Sequence, residues 1–219
     1  AILHLHGGGF RGGSKAGARE ARPLAALGYT CLSGTYRFIG EGQWPAQIED
    51  VKTNLRWLRA NAGRLDVEPD NIVVLGYSAG AHLAVVAAGS SDQPDLEGTG
   101  GSAGVSSAVA ACIAFYPPAG TRRPGNGAHP LLGAGFTEAQ WRSFSPISYV
   151  REGFPPTMLL HGTADQTIPV EDSLALYHAF RSANVPVELH VIEGVTHIFD
   201  AHAEFAEAAA HWIDLFLDR

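Results

Sequence analysis

Several things are scarce in this 219-residue sequence, and each scarcity excludes something. There are only two cysteines, Cys31 and Cys112. Both fall in apolar, strand-like runs, which reads as buried free thiols, with a single disulfide between them as the alternative the sequence leaves open. Lys and Arg together number 15 against 22 Asp and Glu, for a formal net charge of -7. No cluster of basic residues offers a footprint for nucleic acid or an anionic membrane surface. No apolar run reaches the roughly 18 residues that a membrane-spanning helix needs. No signal peptide is read at the start. Ala1 is not Met and already lies in an apolar run, so the sequence leaves open whether residues, a targeting segment among them, stand upstream of it.

What is present is a globular composition. Hydrophobic residues make up 46% and charged residues 17%, enough for a sizeable core in a single domain spanning residues 1–219. Apolar strand-like runs alternate with helical patterns along the chain. Strands are expected at Ala1–Leu5, Tyr29–Ser33, Ile72–Leu75, Val109–Tyr116, Pro156–His161 and Val187–Ile192. Helical spacing covers Lys15–Leu27, Pro45–Ala62, Ala79–Ala88, Glu171–Ala183 and Ala203–Leu217. Nearly all-apolar strands in such alternation predict an α/β fold with a mostly parallel sheet and helices on both faces. The Gly- and Ser-rich segment 90–107 reads as an exposed loop, and residues 117–142 as an irregular insertion over the strand ends.

In such sheets ligands bind beyond the carboxyl ends of the strands, so residues just after each strand carry the information. Gly76-Tyr77-Ser78-Ala79-Gly80 fits G-x-S-x-G between a strand and a helix. A serine on so sharp a turn is lifted off the sheet, and the flanking glycines leave it room. Asp165 follows the fifth strand and His197 the last. A serine hydroxyl needs a base to become a nucleophile, and a carboxylate fixes the tautomer of that base. Ser78, Asp165 and His197 stand in the chain order nucleophile, acid, base, each after a strand. Glu193 and Asp172 are the fallback acids. Glu193 is too near His197 along the chain, and Asp172 belongs to the start of a helix. His6-Gly7-Gly8-Gly9 after the first strand supplies a run that can turn backbone N–H groups toward a developing oxyanion, with the Ala79 N–H as a third donor.

Other patterns in the glycines fail. Gly7-x-Gly9-x-x-Gly12 fits a dinucleotide fingerprint, but Ser33-Gly34-Thr35 offers no carboxylate at the end of the next strand. Gly12-Gly13-Ser14-Lys15 has the wrong order for a phosphate-binding loop. His4 and His6 share a strand face without the further ligands of a metal site. No cofactor or metal is therefore expected. His82 and His161 read as buried structural histidines.

The combination of His6-Gly7-Gly8-Gly9-Phe10, Gly76–Gly80, Asp165 and Gly194-Val195-Thr196-His197 resembles the α/β-hydrolase carboxylesterases that carry an H-G-G-G motif. These include the hormone-sensitive-lipase-like esterases and the small bacterial relatives of feruloyl and acetyl-xylan esterases. Trp44-Pro45-Ala46-Gln47 is similar to that family's approach to its amphipathic helix. The resemblance implies Ser78, Asp165 and His197 as the triad and Gly8, Gly9 and Ala79 as the oxyanion hole. It implies an α/β-hydrolase sheet, shorter here than in the family at about six strands. The family's usual N-terminal strands and cap are lacking before the H-G-G-G strand, which would then lie near an edge. The only candidate lid is the short insertion at 117–142. The expected substrate is a small molecule, a short-chain or small aromatic carboxylic ester, in a pocket lined by Phe10, Trp44, Tyr116 and Phe199. An amidase or peptidase of kynurenine-formamidase-like or acylpeptide type shares the same chemistry, and an inactive binding module is the reading from another class. The sequence leaves the oligomeric state open, a homo-oligomer included.

Overall fold

The computed structural model describes residues 1–17, 21–125, 127–198 and 203–217. In chain order its strands and helices are β1 (Ile2–Leu5), α1 (Ala21–Ala26), β2 (Cys31–Gly34), α2 (Ala46–Ala60), α3 (Ala62–Leu65), β3 (Val73–Tyr77) and α4 (Ala79–Gly89). There follow β4 (Ala111–Phe115), the two-residue strands β5 (Ala128–His129) and β6 (Gly133–Ala134), α5 (Glu138–Phe144), β7 (Thr157–Gly162), α6 (Val170–Ser182), β8 (Val187–Ile192) and α7 (Ala203–Leu217). Six strands pair in the order β2-β1-β3-β4-β7-β8, all parallel. This is an α/β-hydrolase fold. β1 lies one strand in from an edge, with β2 outside it.

Side chains alternate across the strands, so the sheet builds a core on each face. Leu3, Leu5, Val74, Cys112, Ala114 and Leu159 pack with α2, α4 and α6. Ile2, Val73, Leu75, Ile113, Met158 and Leu160 pack with Leu24 of α1 and with Trp212 and Ile213 of α7. All 11 residues of α4 are buried, which is why its sequence is small and apolar all round. Both cysteines are free, and burial pushes the Cys31 thiol up to about 11 and the Cys112 thiol higher still.

Three elements differ from the sequence expectation. The helix expected over Lys15–Leu27 is a 3-10 turn at Lys15–Gly17 followed by α1, with residues 18–20 outside the described residues. Segment 90–107 is not simply exposed. The buried amine of Lys52 and the guanidinium of Arg56, both on α2, close on Glu97 at 2.8 Å each, and the Ser107 hydroxyl donates to the same carboxylate at 2.7 Å. Apolar periodicity cannot show this, because it depends on where a distant carboxylate comes to rest. The insertion carries the β5–β6 hairpin and α5, which starts from a capping box. Gln140 N–H donates to the Thr137 hydroxyl, and Thr137 N–H donates back to the Gln140 side chain.

The chain runs from β1 out to β2, then reverses to β3 on the other side of β1. That reversal opens a crevice between the carboxyl ends of β1 and β3. The Gly7–Gly9 loop leaves one end, and Ser78 leaves the other.

Candidate active site

Ser78 holds φ 53° and ψ -115° between β3 and α4. Such a conformation costs about 1–3 kcal/mol and persists only where its surroundings enforce it. Here they do. Ser78 N–H donates to the Phe115 carbonyl at 3.0 Å, and the Ser78 carbonyl accepts from His82 N–H at 2.9 Å to start the helix. A Cβ on Gly76 would come within 2.2 Å of the Gly80 carbonyl oxygen, and one on Gly80 within 2.3 Å of the Leu5 carbonyl oxygen. The two glycines therefore let α4 begin directly against the ends of β3 and β1.

His197 reaches Ser78 from the loop after β8. Its Nε2 lies 3.2 Å from Ser78 Oγ and its Nδ1 2.6 Å from Asp165 Oδ2. The carboxylate can only accept, so Nδ1 carries the proton and Nε2 is free to accept from Ser78. Asp165 comes from the loop after β7, with its side chain fully buried. Its Oδ1 accepts from Thr167 N–H at 2.8 Å and Ile168 N–H at 2.9 Å. Burial alone would raise the carboxyl pKa. The bond from His197, then those from Ile168 and Thr167, outweigh it and hold the group below its ordinary value. The sequence brings Ser78, His197 and Asp165 into one continuous hydrogen-bonded row from three separate strand ends.

The loops of the acid and the base are also tied together. Thr163 Oγ accepts from Gly194 N–H at 2.9 Å and donates to Glu193 at 2.9 Å. A Cβ on Gly162 would come 2.1 Å from the Val195 carbonyl oxygen. Glu193, one fallback acid, is engaged in that tie. Asp172, the other, accepts from Ala119 N–H at 3.1 Å and pairs with Arg122 at 3.2 Å, holding the insertion to α6.

A cavity of about 410 Å³ opens over Ser78. Gly7, Gly8 and Gly9 form one wall, and His197, Tyr116 and Thr167 stand among the others. Gly8 has φ 120° and Gly9 φ 60°, backbone that glycine adopts readily. A Cβ on Gly8 would meet the Gly12 carbonyl oxygen at 2.2 Å. Ala79 is the first residue of α4, directly after Ser78. The Tyr36 hydroxyl donates to the His6 carbonyl at 2.7 Å and braces the base of the glycine loop.

The expected pocket aromatics divide. Tyr116 lines the cavity, its ring centroid 4.4 Å from that of His197. Phe10 instead lines a separate cavity of about 220 Å³ with His82 and Phe144. Trp44 packs edge-on against His82 and Phe144, and its indole N–H donates to Ser143 at 2.9 Å. α5 of the insertion supplies Phe144, against which both rings pack, and neither lines the cavity over Ser78. Phe199 lies outside the described residues. Tyr77, Thr167 and Ile198 line the cavity without having been singled out. The alternation of β3 was the available signal for Tyr77, while nothing local marks Thr167 or Ile198. Ile198 is exposed and has φ 65°, rare for a β-branched residue. Among the described residues no group of three or more His, Cys, Asp or Glu converges as a metal site. No described helix is long and apolar enough to cross a membrane.

The family model BD-FAE matches residues 1–180. Among curated proteins the chain is 31% identical over 220 residues to "Esterase LipQ" of Mycobacterium tuberculosis, covering 91% of this chain and 52% of that protein. The chain spans about half the length of the curated relatives it matches. Among solved structures, a "truncated form of carbohydrate esterase from gut microbiota" superposes with a TM-score of 0.91 at 25% identity, covering 100% of this chain and 86% of that one. The apo form of Thermogutta terrifontis esterase 2 gives 0.82 at 31% identity, covering 99% and 81%.

Proposed function

Given that the chain belongs to the BD-FAE family of esterase-like α/β-hydrolases, we propose that it is a serine carboxylesterase acting on short-chain or small aromatic esters, with residues 1–219 forming a single catalytic domain. One observation carries the reading: Ser78 Oγ faces a cavity at 3.2 Å from His197 Nε2, while His197 Nδ1 is held by Asp165.

In this reading Ser78 Oγ attacks the ester carbonyl as its proton passes to His197 Nε2. Asp165 stabilises the imidazolium that forms. The carbonyl oxygen becomes an oxyanion and accepts from the N–H groups of Gly8, Gly9 and Ala79. Collapse breaks the bond to the alkoxy oxygen, which leaves as the alcohol with the proton from His197. Water, deprotonated by the same nitrogen, then hydrolyses the acyl-Ser78 ester and restores the serine.

The cavity suits a small acyl group. Thermogutta terrifontis esterase 2, 30% identical, has been solved with butyrate and with propionate bound, which favours short acyl chains here as well. A panel of p-nitrophenyl esters of increasing acyl length, with matched amides, tests the proposal. Turnover is expected to be fastest on the short esters, and Ser78→Ala to lose about 10⁴-fold or more in kcat. Rates that rise toward long chains, or favour the amides, would overturn the substrate assignment. Activity retained in Ser78→Ala would overturn the mechanism.

A further inference from the structure

We infer that His161 is a positioning residue for the reaction, acting through Asp165; this rests on the reading of Ser78, His197 and Asp165 given above. His161 stands near the carboxyl end of β7, fully buried, four residues before Asp165. Its Nδ1 lies 2.7 Å from the hydroxyl of Ser173 on α6, which is also fully buried. Its Nε2 lies 2.9 Å from the Ile168 carbonyl oxygen and 3.3 Å from Asp165 Oδ2.

These partners fix the tautomer. A carbonyl and a carboxylate only accept, so Nε2 carries the proton and Nδ1 accepts from Ser173. The single N–H is thus given to one oxygen of the acid loop and lies close to a second. One is the carbonyl of Ile168, whose own N–H holds Asp165 Oδ1. The other is Asp165 Oδ2, the atom that receives His197 Nδ1. His161 therefore grips the loop from behind while His197 is held in front, and Ser173 orients the grip from α6.

A histidine suits this place because it is a donor that remains neutral. Burial lowers its pKa, against the opposing pull of the Ile168 carbonyl and Asp165, and His197 lowers it further. The titratable groups that face it are Asp165, His197 and Asp172, with the Tyr116 ring nearby. When His197 takes the proton from Ser78, a neutral His161 adds no second cation beside it. Its N–H dipole also lies 3.3 Å from Oδ2, and so moderates electrostatically how strongly the carboxylate holds the imidazolium.

The test compares His161→Phe, His161→Gln and Ser173→Ala with the wild type and Ser78→Ala on p-nitrophenyl acetate. His161→Phe removes both hydrogen bonds at similar size. It is expected to lower kcat by about tenfold to a hundredfold with KM changed less than about twofold, as slight misplacement of a reacting group does. The acid limb of its pH profile should move to higher pH, because the carboxylate of Asp165 loses the nearby N–H of His161. His161→Gln, whose amide can still donate to the Ile168 carbonyl, should recover part of the rate. Ser173→Ala should lower kcat by a smaller factor, and it serves as the test if His161→Phe does not fold. Wild-type kcat and an unmoved acid limb in folded His161→Phe, or a full rate in Ser173→Ala where His161→Phe does not fold, would overturn the inference. So would loss of thermal stability alone, with unchanged rate per active site. If Ser78→Ala is inactive in that outcome, only the role of His161 fails. If Ser78→Ala is active, the parent reading fails instead.

Discussion

His82 shows how one buried side chain can tie this fold to pH. It sits on α4 among Phe10, Trp44 and Phe144, its ring centroid 4.3 Å from that of Phe144. Burial lowers its pKa to about 3, against a partial opposing effect of the Phe144 backbone and with a further push downward from His129. The folded chain therefore keeps His82 neutral, while the unfolded chain protonates it below about 6.5. The unfolded state then binds more protons, so stability falls as pH falls. The contribution is complete above about 6.5 and is lost toward about 3, at about 1.4 kcal/mol per pH unit for one proton. Urea titrations from pH 7 to 4.5 should show a shallower acid slope in His82→Gln, by about one proton. Parallel slopes would contradict this. At the same scale, much of the candidate site was legible in the sequence. Ser78, Asp165 and His197 are marked by residue type, by order and by their places after strands. What holds them was not legible. The amides of Thr167 and Ile168, and the Ile168 carbonyl beside His161, are backbone groups that any residue could supply. Phe10 and Trp44 were misplaced for a related reason, since an aromatic residue carries no mark of which cavity it will face.

Among the elements, α2 performs two tasks. Ile48, Val51, Leu55 and Leu58 pack it on the sheet, and Lys52 and Arg56, on a neighbouring stripe, fasten segment 90–107. Besides Glu97, Lys52 donates to the Ser90 carbonyl and Arg56 to the carbonyls of Glu97 and Gly100. The interaction matters because Lys52 has no exposed side-chain surface, so Glu97 compensates a charge that water cannot reach. Glu97→Gln should lower the unfolding free energy by about 3 kcal/mol, the low end for breaking a buried pair, because Glu97 itself retains some exposure. Adding Lys52→Met should restore part of the loss. Denaturant unfolding of the single and double variants measures both. No change in Glu97→Gln would mean that the backbone carbonyls alone hold these cations. The strands and the apolar stripe of α2 were legible as periodicity. The partner of its charged stripe was not, because it lies more than 40 residues away in a segment of loop-like composition. The start of α5 had a readable sign in Thr137-Glu138-Ala139-Gln140, masked by the irregular stretch before it.

At the scale of the whole molecule, the parallel sheet and its reversal after β2 bring the site together. Gly7–Gly9 and Ser78 flank the switch between β1 and β3, and Asp165 and His197 arrive from β7 and β8 farther along the same edge. Alternation of strands and helices made the layered architecture readable, and the H-G-G-G and G-x-S-x-G motifs pointed to its family. The pairing order was not readable strand by strand; it follows from packing each crossover back on the sheet. The central claim is that this edge makes one nucleophile of Ser78. Labelling with a fluorophosphonate, followed by mass spectrometry of the peptides, tests it most directly. One adduct per chain on Ser78 is expected, absent in Ser78→Ala and formed at least about 10³-fold more slowly in His197→Ala. An adduct on another residue, or equal labelling of Ser78→Ala, would contradict the account.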